Sequence, residues 1–441
     1  MLGKNLISTV LTQIPVFILG VVAGVFSTRI LGEDAKGVFS LFQADTQLFV
    51  LVFSLGIQTG IVYFVSSKKI AENIVAGLSI YIFVICSSLL LGLLFFIQFF
   101  EITDSILSEG YTSNLYLIIL FLLFIFSFLN SIVSSFFQAH SKFKIVNLIS
   151  IVNSIINSGL FVALFFILQS KNLSTVERFN YVLYSTLLSL LINSTLWLYF
   201  QKKELNIKPD FNFKISSQLK IFVSYNLLIY AGMFVNFFNY RLDLWIINHY
   251  LDDKNLSYYS LAANINQIIL FLSVTIASVM LPNLSGKSPE ERTKTFVQVS
   301  RICFSFFMLI TFFAFVVSSF IIPFMYGKEF TNTVIPFKIL LPGILFSCIT
   351  QLFSILIVSI NKNILNIIAC SIGLIFTVIL DLILIPEIGI NGAAIATTIS
   401  YFVIFLITYI FTINQTNRVT LNFFIPNKKD IKFIQQFLKN G

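Results

Sequence analysis

Charged side chains are scarce in this sequence and amides numerous, and several of both sit inside long apolar runs where their burial needs a reason. Arg29 and Arg241 stand near the ends of such runs, and Lys338 lies near the start of another. A guanidinium donates paired hydrogen bonds to phosphate or carboxylate, so the arginines suit an anionic group, and lysine would add a point charge. Each cation could instead snorkel to a membrane interface. Asp45, flanked by Gln43 and Gln47, and Asp381 also lie within apolar runs. A carboxylate there is costly unless it is paired, protonated or holding a cation. Either aspartate could bind a proton or a sodium ion, and Asp45 could equally be the partner of an arginine. Arg241 and Asp243 are two residues apart and point to roughly opposite helix faces, so each needs other partners. Asn264 and Gln267 share a face at i,i+3. That pair suits a hydroxyl-rich ligand or hydrogen bonding between helices.

Other chemistry is missing from the pattern. Cys86, Cys303, Cys348 and Cys370 all fall in apolar runs without metal or redox spacing, and read as small core residues. His140 and His249 have no ligand partner at useful spacing. No nucleotide motif and no nucleophile–base pair is visible. The expectation is no enzyme, no metal and no cofactor.

The elements that must position these groups are membrane helices. The 441 residues are 57% hydrophobic and 11% charged, with 52 phenylalanines, and the mean hydropathy is +0.93. Soluble domains are about 25% charged, so lipid has to be the solvent. The net charge of +9 resides mostly in short connections, where it reads as a topology signal rather than a nucleic-acid surface. Runs long enough to span lie near 6–28, 38–65, 74–99, 114–138, 144–168, 178–200, 217–240, 257–281, 299–322, 333–359, 363–385 and 390–413. The first lacks a clear cleavage site and reads as a span rather than a signal peptide. Pro15 and Pro342 lie within spans and are candidate bending points.

Twelve spans put both termini on one side. With the termini cytoplasmic, that side holds most of the 28 lysines and arginines, as a multi-pass protein of the cytoplasmic membrane requires. The acidic loop Glu101–Asp104–Glu109 then faces outward. The longest polar connection, Gln201 to Ser216, divides the chain. A six-helix lobe covers 1–204, a cytoplasmic linker 205–216, a second six-helix lobe 217–414, and a cytoplasmic tail 415–441. In the tail Ile431, Ile434, Phe437 and Leu438 keep helical spacing among lysines, a pattern for a helix lying on the membrane. A weak repeat relates the halves. Leu31–Gly–Glu–Asp matches Leu251–Asp–Asp–Lys, and Lys144–Ile–Val–Asn matches Asn363–Ile–Leu–Asn, at nearly one offset. Because six spans return the chain to its starting side, the repeats are parallel.

Five stretches carry a family resemblance: Thr28–Arg–Ile–Leu–Gly–Glu–Asp–Ala–Lys–Gly, Asn239–Tyr–Arg–Leu–Asp with Tyr259–Ser–Leu–Ala, Leu281–Pro–Asn–Leu–Ser, Tyr326–Gly–Lys–Glu–Phe with Leu340–Leu–Pro–Gly, and the segment from Asp381 to Thr397. In order and spacing the chain resembles the Wzx-type oligosaccharide flippases of the multidrug/oligosaccharidyl-lipid/polysaccharide (MOP) transporter superfamily, although Asp381 stands where that family would have Asn. The resemblance implies an all-α, MATE-like fold of about twelve helices in two lobes, alternating access, a polyprenyl-pyrophosphate-linked sugar as substrate, and polysaccharide-assembly proteins as possible partners. Each sugar hydroxyl costs roughly 2–7 kcal/mol to dehydrate without a replacement partner, so a few sugars cannot cross hydrocarbon unaided. On this reading Arg29, Arg241 and Lys338 meet the pyrophosphate. Asp45, Gln47, Asp243, Asn264, Gln267 and Asp381 serve the glycan or a coupling H+ or Na+. A cation-coupled exporter of the same superfamily is the alternative, favoured by the aspartates and opposed by the arginines. A membrane polymerase or ligase would want a sizeable outer loop with catalytic residues, and a scaffold would leave the repeat and the buried charges unexplained.

Overall fold

The computed structural model describes residues 2–100, 111, 113–211, 220–285 and 287–416. The acidic loop 101–109, the tail from 417, linker residues 212–216 and the Asn226 side chain lie outside the described residues.

Hydrocarbon offers no partner for a backbone N–H or C=O, so each crossing has to satisfy its own hydrogen bonds. The described residues accordingly form helices: α1 (Leu2–Ser54), α2 (Ile57–Ser66), α3 (Glu72–Phe99), α4 (Asn114–Ala139), α5 (Phe143–Leu168), α6 (Thr175–Phe200), α7 (Lys220–Tyr250), α8 (Asp253–Ser285), α9 (Pro289–Tyr326), α10 (Val334–Ser359), α11 (Ile364–Ile388) and α12 (Ile390–Thr416). Ten helices among the described residues are long and apolar enough to cross a membrane. The chain is an all-α, multi-pass membrane protein.

The first two expected spans share α1. Its 53 residues break at Gly32, where φ 68° and ψ −175° lie outside the helical region and in territory essentially reserved for glycine. The second span breaks again at Leu55–Gly56, both with positive φ, before α2 completes it. Pro15 and Pro342 sit inside α1 and α10 without a break in helical φ/ψ at either. The bending point of α1 is the glycine. Helix ends follow local chemistry. Ser174 and Glu177 cap α6 reciprocally (Ser174 N to Glu177 Oε2, 2.8 Å; Glu177 N to Ser174 Oγ, 3.3 Å). Ser288 and Pro289 open α9.

The helices form two compact units, Met1–Phe237 and Phe238–Gly441. The boundary between these units lies inside α7. The described part of the connection from Gln201 to Ser216 is tied to the first unit. Lys142 Nζ donates to the Glu204 carbonyl (2.6 Å) and carboxylate (3.2 Å), and Asp210 N donates to Asn73 O (2.9 Å).

In the first unit α1 packs against α3, α4, α5 and α6. Phe179 is fully buried there, edge-on to Phe39, Phe42 and Tyr116. In the second unit α10 packs against α8, α9 and α12. Small residues permit the closest approaches. A Cβ on Gly343 would stand 2.8 Å from Thr398 Cα, and one on Gly373 2.2 Å from Ile404 Cγ1. Thr398 Oγ1 donates to Ile339 O (2.8 Å), and Ser273 Oγ to Cys348 O (2.6 Å).

The repeat motifs mark equivalent places in the two halves. Leu31–Asp34 spans the break at Gly32, and Leu251–Lys254 spans the break between α7 and α8. Lys144 and Asn363 stand at the starts of α5 and α11.

Candidate functional site

Five of the sequence candidates, Arg241, Asp243, Asn264, Gln267 and Asp381, lie in the second unit around α7. Asn239 Nδ2 donates to Cys370 O of α11 (2.9 Å), and Tyr240 stands edge-on to Tyr401 of α12. These contacts set the helix against α11 and α12. On α7, Arg241 is half-buried and reaches α8: Nη1 donates to Asn264 Oδ1 (3.3 Å) and Nη2 to Gln267 Oε1 (3.4 Å). The i,i+3 amides thus hold the two arms of one guanidinium. Among the described residues no carboxylate lies within ion-pair distance of it.

Asp243, two residues on, faces elsewhere and is buried. Its Oδ2 accepts a short hydrogen bond from the Tyr259 hydroxyl, and its Oδ1 accepts from Leu244 N (2.9 Å). Tyr259 Oη is also 3.1 Å from Thr397 Oγ1 of α12. Asp381 of α11 is 0% exposed, and neither carboxylate oxygen has a hydrogen-bond donor among the described residues. It lies near enough to Asp243 for two ionised carboxylates to repel each other. Helices α7, α8 and α12 therefore meet at Asp243, Tyr259 and Thr397, with the buried Asp381 of α11 nearby. An ionised carboxylate with no donor in this setting is expensive. A proton or a small cation would remove the cost, and the oxygen-rich donor set fits either.

The first unit holds three others. Asp45 is buried on α1, whereas Gln47, on another face of that helix, is exposed, as is Arg29 in the last turn before Gly32. Lys338 is placed elsewhere in the second unit: Nζ donates to Ser319 Oγ of α9 (2.9 Å) and lies 4.9 Å from the centre of the Phe315 ring. That position is the seam between α9 and α10, apart from the α7–α8 contacts of Arg241.

Sequence reasoning missed three groups. Tyr259 and Thr397 were quoted only as parts of motifs, yet their hydroxyls link the carboxylate cluster to α8 and α12. A hydroxyl in an apolar span needs a partner, which was the available signal. Lys36, quoted only within a motif, is buried in the first unit with Nζ 3.1 Å from Ser40 Oγ.

Residues 2–288 match the family described as "Polysaccharide biosynthesis protein". The chain belongs to that family. Its fold is shared with MOP-superfamily transporters of known structure. The lipid II flippase MurJ in an inward closed conformation superposes with a TM-score of 0.75 at 20% identity, over 95% of this chain and 89% of that one. An inward-facing multidrug-resistance MATE transporter gives 0.71 at 13% identity, over 93% and 98%. A MOP-superfamily transporter from Pyrococcus furiosus gives 0.66 at 13% identity, over 94% and 96%. No curated protein matches the chain in sequence. For this polysaccharide biosynthesis family member the MATE-like helical fold expected from the motifs is observed.

Proposed function

We propose that this protein moves a polyprenyl-pyrophosphate-linked oligosaccharide across the cytoplasmic membrane by alternating access, with both termini cytoplasmic, and that a proton or sodium ion drives the cycle. The observation that carries the reading is Arg241 held by Asn264 and Gln267. Two neutral amide oxygens orient the guanidinium and leave its charge for a ligand, where a structural arginine would meet a carboxylate. Its remaining N–H groups suit a pyrophosphate, and amides beside it suit sugar hydroxyls. The membership of a polysaccharide biosynthesis family supports this cargo over a cationic drug, which an arginine would repel. The cluster of Asp243, Asp381, Tyr259 and Thr397 is the candidate site for the coupling ion. Arg29 and Asp45 on α1 are proposed to serve the same transport from the first unit. No bond is made or broken in the cargo, so the role is non-enzymatic, and the assembly proteins that supply and consume the lipid-linked sugar are its expected partners.

The test follows sidedness. In a host lacking this gene and any redundant flippase, labelled lipid-linked oligosaccharide should accumulate on the cytoplasmic face. The wild-type gene should relieve the accumulation, and an equally expressed Arg241→Ala should leave it. Normal sidedness in the deletion would overturn the proposal and favour a cation-coupled exporter.

A further inference from the structure

Helix α9 carries a continuous bare surface: Leu309, Phe312, Phe313, Val316, Phe320 and Phe324 are each at least 60% exposed. A surface of that kind is stable only against lipid. Where α9 meets α8 and α10 the surface deepens into a groove of about 480 Å³, lined by Ile265, Ile268, Leu309, Phe313, Ala314 and Phe337. The next residue after Phe337 is Lys338. Its ammonium hangs in the α9–α10 seam, on the Ser319 hydroxyl and over the Phe315 ring. Ser319 is five residues beyond Ala314, roughly 7.5 Å along the helix. The charge therefore stands beyond one end of the groove, toward the end of α9.

An ammonium has three N–H donors, and its contacts here are one hydroxyl and one ring face. Among the described residues no carboxylate is within ion-pair distance. The described residues therefore leave this charge without a counter-ion, beside an open apolar groove. We propose that this seam binds an anionic phospholipid, with an acyl chain in the groove and the phosphate on Lys338. Substrate is a poorer fit to the place. The mean direction of Asn264 and Gln267, which hold Arg241, and that of Ile265, Ile268 and Ile269, which line the groove, lie roughly 120° apart around α8 at 100° per residue. The groove and the Arg241 contacts thus occupy different faces of that helix. Under the proposed topology the α9–α10 turn is external, so the lipid belongs to the outer leaflet. The binding itself does not depend on which cargo is carried.

Native mass spectrometry of the full chain tests this with dioleoyl phosphatidylglycerol against dioleoyl phosphatidylcholine. Wild type should retain the anionic lipid at least fivefold better. Lys338→Gln should abolish the preference, Lys338→Arg should restore it, and Ala314→Leu, which fills the groove, should weaken retention of both lipids. Equal retention of the two lipids by wild type, or an unchanged preference in Lys338→Gln, would overturn the proposal. So would stronger retention of polyprenyl phosphate than of phosphatidylglycerol, which would make the seam a substrate subsite. All of these variants are lateral to the Arg241 contacts, so their monodispersity in detergent reports folding independently.

Discussion

Replacing Asp381 by Asn tests the ion cluster most directly. The exchange keeps the side-chain volume and removes a carboxylate that has no hydrogen-bond donor and 0% exposure. A cation that binds the folded protein at 100 times its dissociation constant stabilises it by about 2.7 kcal/mol. The unit that holds the cluster is Phe238–Gly441, in the size class where 1 kcal/mol moves the unfolding midpoint by about 2–4 °C. Wild type should therefore gain about 5–11 °C when sodium chloride replaces choline chloride at constant ionic strength. Asp381→Asn should gain almost nothing. It should also unfold no lower than the ion-free wild type, because it has lost an uncompensated buried carboxylate. The assay is thermal unfolding of the full chain in detergent at one pH. A wild-type midpoint flat in sodium but moved by pH, with Asp381→Asn flat in both, would identify the proton as the ligand. An Asn variant that keeps the full sodium response would refute the assignment of the ion to this cluster.

Further outcomes follow from the same geometry. Tyr259→Phe removes the hydroxyl that serves both Asp243 and Thr397. It should lower stability by about 1–3 kcal/mol, the cost of unsatisfied buried acceptors, and chemical denaturation in detergent would read it. Gly32→Ala forces a Cβ into a conformation essentially restricted to glycine and should cost about 1–3 kcal/mol, whereas Gly24→Ala, with open space around it, should be near neutral.

What the sequence made legible were the features with long, regular signals. Twenty-residue apolar runs located most of the long helices within a few residues, because a bilayer demands that length, whereas α7 and α9 extend well past their apolar runs. The i,i+3 spacing of Asn264 and Gln267 put both amides on one face before any partner was known. The breaks at Gly32 and Leu55–Gly56 gave weaker warning. A glycine in an apolar run is equally consistent with close helix packing, as at Gly343 and Gly373. The partners of the buried groups were least legible. Tyr259 and Asp243 are 16 residues apart, and Tyr259 and Thr397 are 138 apart, a separation that no local periodicity encodes. Lys338 shows the same limit. Its position near a helix start fitted a cavity or an interface equally, and only the packing of α9 on α10 places it in a seam.

The placement of Arg241 and Asp243 on one turn of α7 makes a claim about coupling. Arg241 reaches α8 through Asn264 and Gln267, while Asp243 reaches α8 through Tyr259 and the cluster shared with α11 and α12. A small rotation or shift of α7 cannot change one set of contacts and leave the other untouched. An ion that recruits Asp243 therefore biases the orientation of the Arg241 guanidinium, and an anion on Arg241 biases the ion cluster. Linkage would make the effect reciprocal: if the proposed ion raises affinity for the proposed pyrophosphate head by some factor, the head raises affinity for the ion by the same factor. Couplings of this kind are typically about 1–3 kcal/mol, or 5–150-fold. Binding of a polyprenyl pyrophosphate should therefore tighten at least about fivefold at saturating ion, with the same factor seen in the ion's own affinity when the lipid is saturating. Asp381→Asn should abolish the factor while leaving weak lipid binding, and Arg241→Ala should abolish lipid binding while leaving the ion's stabilising effect. Titration calorimetry on the four combinations would measure both legs. Equal lipid affinity with and without the ion, in a protein that demonstrably binds both, would show that α7 does not connect the two sites.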